Sequence, residues 1–103
     1  MPYYKKDGNS RCLKELTIKS GKLQLTADRN QRVVMNNNTE ILLPNVNTFT
    51  EIHLFFDYND EYIITLPPAM YQTIPKFEVG CMYELIFTYV DKWMAGIVKY
   101  STE

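Results

Sequence analysis

His53 is the one histidine of the chain, so a histidine-based triad or a multi-histidine metal site cannot be assembled within one subunit. On an alternating strand it shares with Glu51 the face opposite Ile52 and Leu54, and its expected role is a polar surface or interface residue. Asp57, Asp60 and Glu61 could offer oxygens to calcium, but they lack the spaced Asp/Asn ladder, the glycine and the terminal glutamate of a calcium loop, so a solvated turn is expected. Ser10 and Ser20 lie in turns without nucleophile-elbow glycines, and no phosphate-cradling glycine loop occurs. Cys12 and Cys81 are too few for a multi-cysteine metal centre; two reduced thiols are expected over a disulfide, because cytosolic synthesis disfavours oxidation. The expectation from these residues is a protein that is not an enzyme and holds no metal or cofactor.

Exposed aromatic rings offer a different chemistry, stacking on the apolar face of a sugar. Tyr3, Tyr4, Tyr58 and Tyr71 fall in loops or in the N-terminal segment, where a ring would be available to a ligand. Aromatics are also what oligomer interfaces use most. The adjacent Tyr3 and Tyr4 are therefore assigned to partner docking, and Asn37, Tyr58, Asp60 and Tyr71 to loops that could face a receptor.

The elements that must position these residues are strands. A chain of 103 residues forms one domain with a core of two packed layers. Hydrophobic residues at 46% and charged residues at 22% exclude wholesale disorder. A net charge of −1 gives no electrostatic reason to bind nucleic acid. The first ten residues lack the apolar stretch of a signal peptide, and no segment approaches the roughly 20 apolar residues of a membrane span, so synthesis in a cytoplasm without membrane insertion is expected.

Short runs with period-two character cover 13–18, 22–27 and 31–35, broken by Ser20-Gly21, by Asp28-Arg29-Asn30 and by the Asn36-Asn37-Asn38 triplet. A brief strand over 40–43 ends at Pro44. Residues 51–57 alternate sharply, with Phe55 the one apolar residue on the outer face, and are expected to form a hairpin with 62–66. Pro67-Pro68 stops that strand, and 69–81 reads as an irregular crossing. No helix-period segment of ten or more residues occurs. Eight or nine short strands at this spacing predict an all-β sandwich or barrel over 11–103, preceded by an arm at 1–10.

The last quarter reads as an antiparallel hairpin, Met82 to Val90 and Trp93 to Tyr100. A loop at Asp91-Lys92 places Tyr89 opposite Met94, Phe87 opposite Gly96 and Glu84 opposite Lys99, whereas a three-residue loop slips the register and swaps the faces. In the first register Ile86, Val90, Trp93, Ala95 and Ile97 make most of one apolar face, and Tyr83, Leu85, Phe87 and Tyr89 with Met94, Val98 and Tyr100 make the other. A one-sided antiparallel sheet would alternate cleanly between apolar and polar. A chain this short has little material to cover two sheet faces alone, so an oligomer contact through Ile86, Val90, Trp93, Ala95 and Ile97 is expected.

The Glu61-Tyr-Ile-Ile-Thr-Leu-Pro-Pro68 strand, the Ile74-Pro-Lys-Phe-Glu-Val-Gly80 approach, and the Tyr83-Glu-Leu-Ile-Phe87 and Trp93-Met-Ala-Gly-Ile-Val98 strands resemble small β-domains of bacteriophage virion proteins, of the tail-fibre, head-fibre or minor structural type. The resemblance extends over roughly 39–100 and includes no catalytic signature. It departs from the pattern at Tyr71-Gln72-Thr73, where a Trp and a Gly are usual. It implies a virion location, a homotrimer, contacts to other virion proteins and a role in host attachment, with a host-surface glycan as a further partner. The combined expectation is a single-domain antiparallel β-sandwich, jelly-roll-like, acting as a non-enzymatic virion structural subunit. The alternative is a stand-alone carbohydrate-binding β-sandwich module.

Overall fold

The computed structural model describes residues 13–67 and 76–100. The arm at 1–10 with Tyr3 and Tyr4, Cys12, and Tyr71 lie outside the described residues. Within them the chain is all-β, with strands β1 (Lys14–Leu16), β2 (Lys22–Gln24), β3 (Asn30–Val33), β4 (Thr39–Leu42), β5 (Thr50–Tyr58), β6 (Ile64–Thr65), β7 (Cys81–Tyr89) and β8 (Trp93–Tyr100). They form a five-stranded sheet in the order β1-β3-β5-β7-β8 and a three-stranded sheet in the order β2-β4-β6.

Two layers of short strands match the expectation; the uniformly antiparallel pairing does not. β1, β3 and β5 pair in parallel, as do β2, β4 and β6, and antiparallel ladders are confined to β5-β7-β8. Neighbouring parallel strands need a crossover between them. Here a strand of the opposite sheet serves as that crossover, so each turn of the chain lays one strand in each layer. Over β1 to β6 this is a solenoid-like winding, which departs from the expected jelly roll, whose ladders are antiparallel; only β5-β7-β8 pair as that expectation requires. The expected hairpin between 51–57 and 62–66 is corrected for the same reason. β5 belongs to the large sheet and pairs with β7, while β6 crosses to the small sheet and pairs with β4.

The corners stack along one edge of this winding. Lys19 and Lys22 exchange backbone hydrogen bonds at 2.9 Å around Ser20-Gly21, whose φ angles of 52° and 73° are those of a tight two-residue turn. The Gly21 carbonyl accepts from the Glu40 amide at 2.8 Å, and Asn38 Oδ1 accepts from the Ile63 amide at 2.9 Å. The asparagine triplet thereby ties one corner to the next.

Inward positions follow the period of two. Leu23, Leu25, Ile41 and Ile64 on the small-sheet side meet Val33, Ile52, Leu54, Phe56, Leu85 and Phe87 of the large sheet in one core. Phe56, Tyr58, Phe77 and Tyr83 close one end of it with ring centroids 4.9 to 6.4 Å apart. Gln31 is a polar residue at an inward position with no exposed surface. Its Nε2 donates to the Thr26 carbonyl at 2.8 Å and the Asp28 carbonyl at 2.5 Å, and its Oε1 accepts from the Thr26 amide at 3.3 Å. The side chain substitutes for ladder bonds that the corner at 26–28 cannot make. Gln31→Ala is expected to destabilise the domain by about 1–3 kcal/mol, the cost of leaving buried backbone groups unsatisfied. A shift of the urea midpoint checks this.

The register of the final hairpin decides which residues face out. Tyr89 pairs with Trp93, Phe87 with Ala95, Leu85 with Ile97 and Ile86 with Gly96, around a loop of Val90, Asp91 and Lys92 in which the Val90 amide donates to the Lys92 carbonyl at 3.2 Å. The three-residue alternative is the one adopted. Its consequence is a swap of faces, because a one-residue slip inverts a strand. Trp93, Ala95 and Ile97 pack on the core side with Tyr83, Leu85, Phe87 and Tyr89, whereas Ile86 lies on the outer face with Met94 and Val98. The single face assigned to Ile86, Val90, Trp93, Ala95 and Ile97 is thus divided, and Val90 sits exposed in the loop.

Candidate functional site

The outer face of the five-stranded sheet gathers the residues with chemical interest. Parallel and antiparallel register together align Glu15, Arg32, Phe55, Glu84 and Val98 in one row across it. Asn30, His53, Ile86 and Gly96 form the next row. On its flanks lie Glu51 with Thr88 and Met94, and Asp57 with Met82 and Tyr100.

His53 stands at the centre. Its Nδ1 lies 2.5 Å from Glu84 Oε2 and its Nε2 lies 2.7 Å from Glu51 Oε2. Tyr100 donates its hydroxyl to Glu84 Oε1 at 2.7 Å, and Arg29 donates to Glu51 Oε2 at 3.3 Å. The side chains of Glu84 and His53 are only 10% and 17% exposed, so this is a half-sunken charge cluster and not a solvated surface pair. The His53 hydrogen bond holds the Glu51 carboxyl below its ordinary range; partial burial works against it and the Arg29 charge adds to it. Glu84 does not meet Lys99 as the other register required. Lys99 projects to the core side beside Tyr83 and bonds Glu78 Oε1 at 2.5 Å instead.

Apolar side chains surround the cluster. Ile86, Phe55 and Met82 are half-buried, and Met94, Val98 and Tyr100 are exposed, at 37% to 45%. The hairpin is therefore apolar on both sides, one in the core and the other on this outer face. Both ring nitrogens of His53 lie within hydrogen-bond distance of carboxylates. Among the described residues no cluster of His, Cys, Asp and Glu has the arrangement of a metal site.

The loop residues separate. Asn37 and Asp60 are exposed, and the Asn38–Ile63 hydrogen bond brings their corners side by side. Tyr58 is corrected: it is 7% exposed, its hydroxyl donates to the Tyr62 carbonyl at 2.6 Å, and its ring packs on Phe77 and Tyr83. As the last residue of β5 it keeps the inward parity of Phe56, which an assignment to the following turn overlooked. Cys81 is a free, half-buried thiol. Reading from sequence had missed the partnership of Glu84 with His53. The only signal for it was an acidic residue on the outer parity of an otherwise apolar strand. Comparisons with protein-family models, with curated proteins and with solved structures find no match to this chain, so the geometry of this face carries the functional reading.

Proposed function

We propose that the chain is a non-enzymatic structural subunit of a bacteriophage virion, of the fibre or tail- or capsid-attached kind, that assembles through the outer face of its five-stranded sheet. The observation that carries the assembly part is the apolar strip of Ile86, Met94 and Val98, continued by Phe55 and Tyr100, on the side of the hairpin turned away from the core. An apolar patch around a few paired polar groups has the make-up of an interface centre. The virion part rests on the resemblance of the strand-and-proline pattern over roughly 39–100, which also suggests a homotrimer, contacts to other virion proteins and a contribution to host attachment. The paired corners carrying Asn37 and Asp60 are the surface available for a receptor or host glycan.

Sedimentation or light scattering of the purified chain tests the reading. The wild type is expected to be oligomeric. Met94→Asp combined with Val98→Asp is expected to give a monomer with little change in melting temperature, since both side chains project from the outer face. Trp93→Ala is expected to do the reverse, because its ring packs on Tyr89 at 5.4 Å on the core side. A monomeric wild type that binds a glycan array would favour the carbohydrate-binding module.

A further inference from the structure

We propose that the first turn of the winding holds a binding site for a sugar carrying one carboxylate, with the ammonium groups of Lys19 and Lys22 receiving the acid and Glu15, Thr17 and Gln24 receiving the hydroxyls. The site lies where β1 leads into β2, on the opposite edge of the large sheet from β8. It is apart from the apolar strip of Ile86, Met94 and Val98, so the site and the assembly reading stand or fall independently.

The charges there are placed against the usual rule for paired strands. Lys19 and Lys22 stand directly opposite each other in an antiparallel bridge, their backbones exchanging hydrogen bonds at 2.9 Å around Ser20-Gly21. Like charges so placed share a face and repel. The turn gives them little freedom to separate, because Ser20 and Gly21 both hold positive φ, 52° and 73°. Among the described residues Lys19 has no carboxylate partner, and Lys22 reaches one, Glu40, at 3.5 Å with both side chains about half exposed. An exposed pair of that kind contributes little. An anion seated between the two ammonium groups turns their repulsion into attraction.

A cavity of about 370 Å³ adjoins the pair, lined by Glu15, Leu16, Thr17, Lys19, Lys22 and Gln24. That is the size of a small-molecule site and more than an inorganic anion fills. Its chemistry changes from one end to the other. The lysines stand at the turn, and Thr17 and Gln24 lie two residues behind them on the same sides of the chain. Gln24 donates its Nε2 to the Leu25 and Leu42 carbonyls, at 2.9 and 3.4 Å, which leaves Oε1 as an acceptor for a hydroxyl. The Thr17 hydroxyl both donates and accepts. Glu15 follows at the far end, and its contact to Arg32, 3.9 Å, is beyond hydrogen-bond length. Its carboxylate accepts from hydroxyls and repels a second negative group. Half-buried Leu16 offers apolar surface to the C–H face of a ring. A ligand with one acid group at one end and hydroxyls at the other matches this order, whereas a polyanion meets Glu15. One carboxylate and several hydroxyls around a small ring is the composition of a uronic or sialic acid.

The test is an amide-shift NMR titration of the full nitrogen-15-labelled chain with glucuronate and with N-acetylneuraminate, against glucose, acetate and inorganic phosphate. At least one of the two sugar acids is expected to shift the Thr17, Lys19, Lys22 and Gln24 amides saturably. Its affinity is expected to exceed that of every control by about tenfold, the factor that one hydrogen bond to a charged group supplies. Lys19→Gln, a change at an exposed position, is expected to weaken binding by about tenfold at an unchanged melting temperature. Glu40→Gln is expected to tighten it by up to about fivefold, because Lys22 loses its competing carboxylate. No saturable shift at those four amides with either acid overturns the site. Glucose, acetate or phosphate binding as tightly as the sugar acids also overturns it, because either the acid or the hydroxyls would then be idle. Undiminished affinity in Lys19→Gln, or an affinity in Glu40→Gln no higher than wild type, overturns it as well, since the lysine pair would then not hold the ligand.

Discussion

Phe87→Ala is expected to lower the unfolding free energy by about 3–5 kcal/mol, the range for deleting a large buried ring from a packed core. Phe87 has no exposed surface and lies in the middle of β7, in register with Ile52 of β5 on one side and Ala95 of β8 on the other. The two backbone ladders that flank it hold the strand in place, so the sheet cannot close over the vacated volume, and Ala95 is too small to fill it. A domain of this size has a total stability of about 5–15 kcal/mol, which makes the loss a large share of the whole. Chemical denaturation with a fixed m-value measures it. A loss under about 1 kcal/mol would mean that the ring does not lie between the two sheets.

His53→Leu is the second large effect, expected to cost about 1–3 kcal/mol, the range for leaving a buried acceptor without its hydrogen-bond partner. Leucine preserves the bulk of the ring but leaves Glu84, 8% exposed, without its Nδ1 donor and facing Glu51 with no proton between them. Among the described residues, the Tyr100 hydroxyl and the Arg29 guanidinium would remain to hold the two carboxylates. The same urea titration, run on His53→Leu and Glu84→Gln side by side, checks the argument. The glutamine variant is expected to lie within about 1 kcal/mol of wild type, because it removes a charge and keeps every hydrogen bond. Equal losses in the two would point to packing, and not to an unpaired carboxylate, as the origin of the effect.

The strands themselves were legible along the sequence. Leu23 and Leu25, and Ile52, Leu54 and Phe56, alternate with polar residues and are the residues that the fold buries. His53 and Glu51 share the outer face because residues two apart on a strand must do so. Phe55 was identified as the one apolar side chain on that face of its strand for the same reason. The core position of Gln31 was not legible, since its polarity argues for solvent and only the corner at Thr26 and Asp28 satisfies it. Nor was the parallel winding. Its successive turns, from Lys14 to Gln31 and from Gln31 to Leu54, differ in length and leave no repeat to detect.

By itself, then, the chain's sequence determined its strand-rich content, the inward parity of strands such as β2 and β5, and the two-sided apolar character of the C-terminal hairpin. Those are local properties, set by a period of two and by turn residues such as Ser20-Gly21 and Asn36 to Asn38. Tertiary structure alone decided the partners: which sheet each strand joined, whether the final loop held two residues or three, and hence that Trp93 went inward while Val98 stayed out. It also decided that His53 met Glu84, a residue thirty-one positions away. Alternation records which side of a strand is apolar, but a short strand carries almost no information about its neighbour. That choice is made by the summed packing of both layers, and the charge cluster on the outer face exists only once the choice has been made.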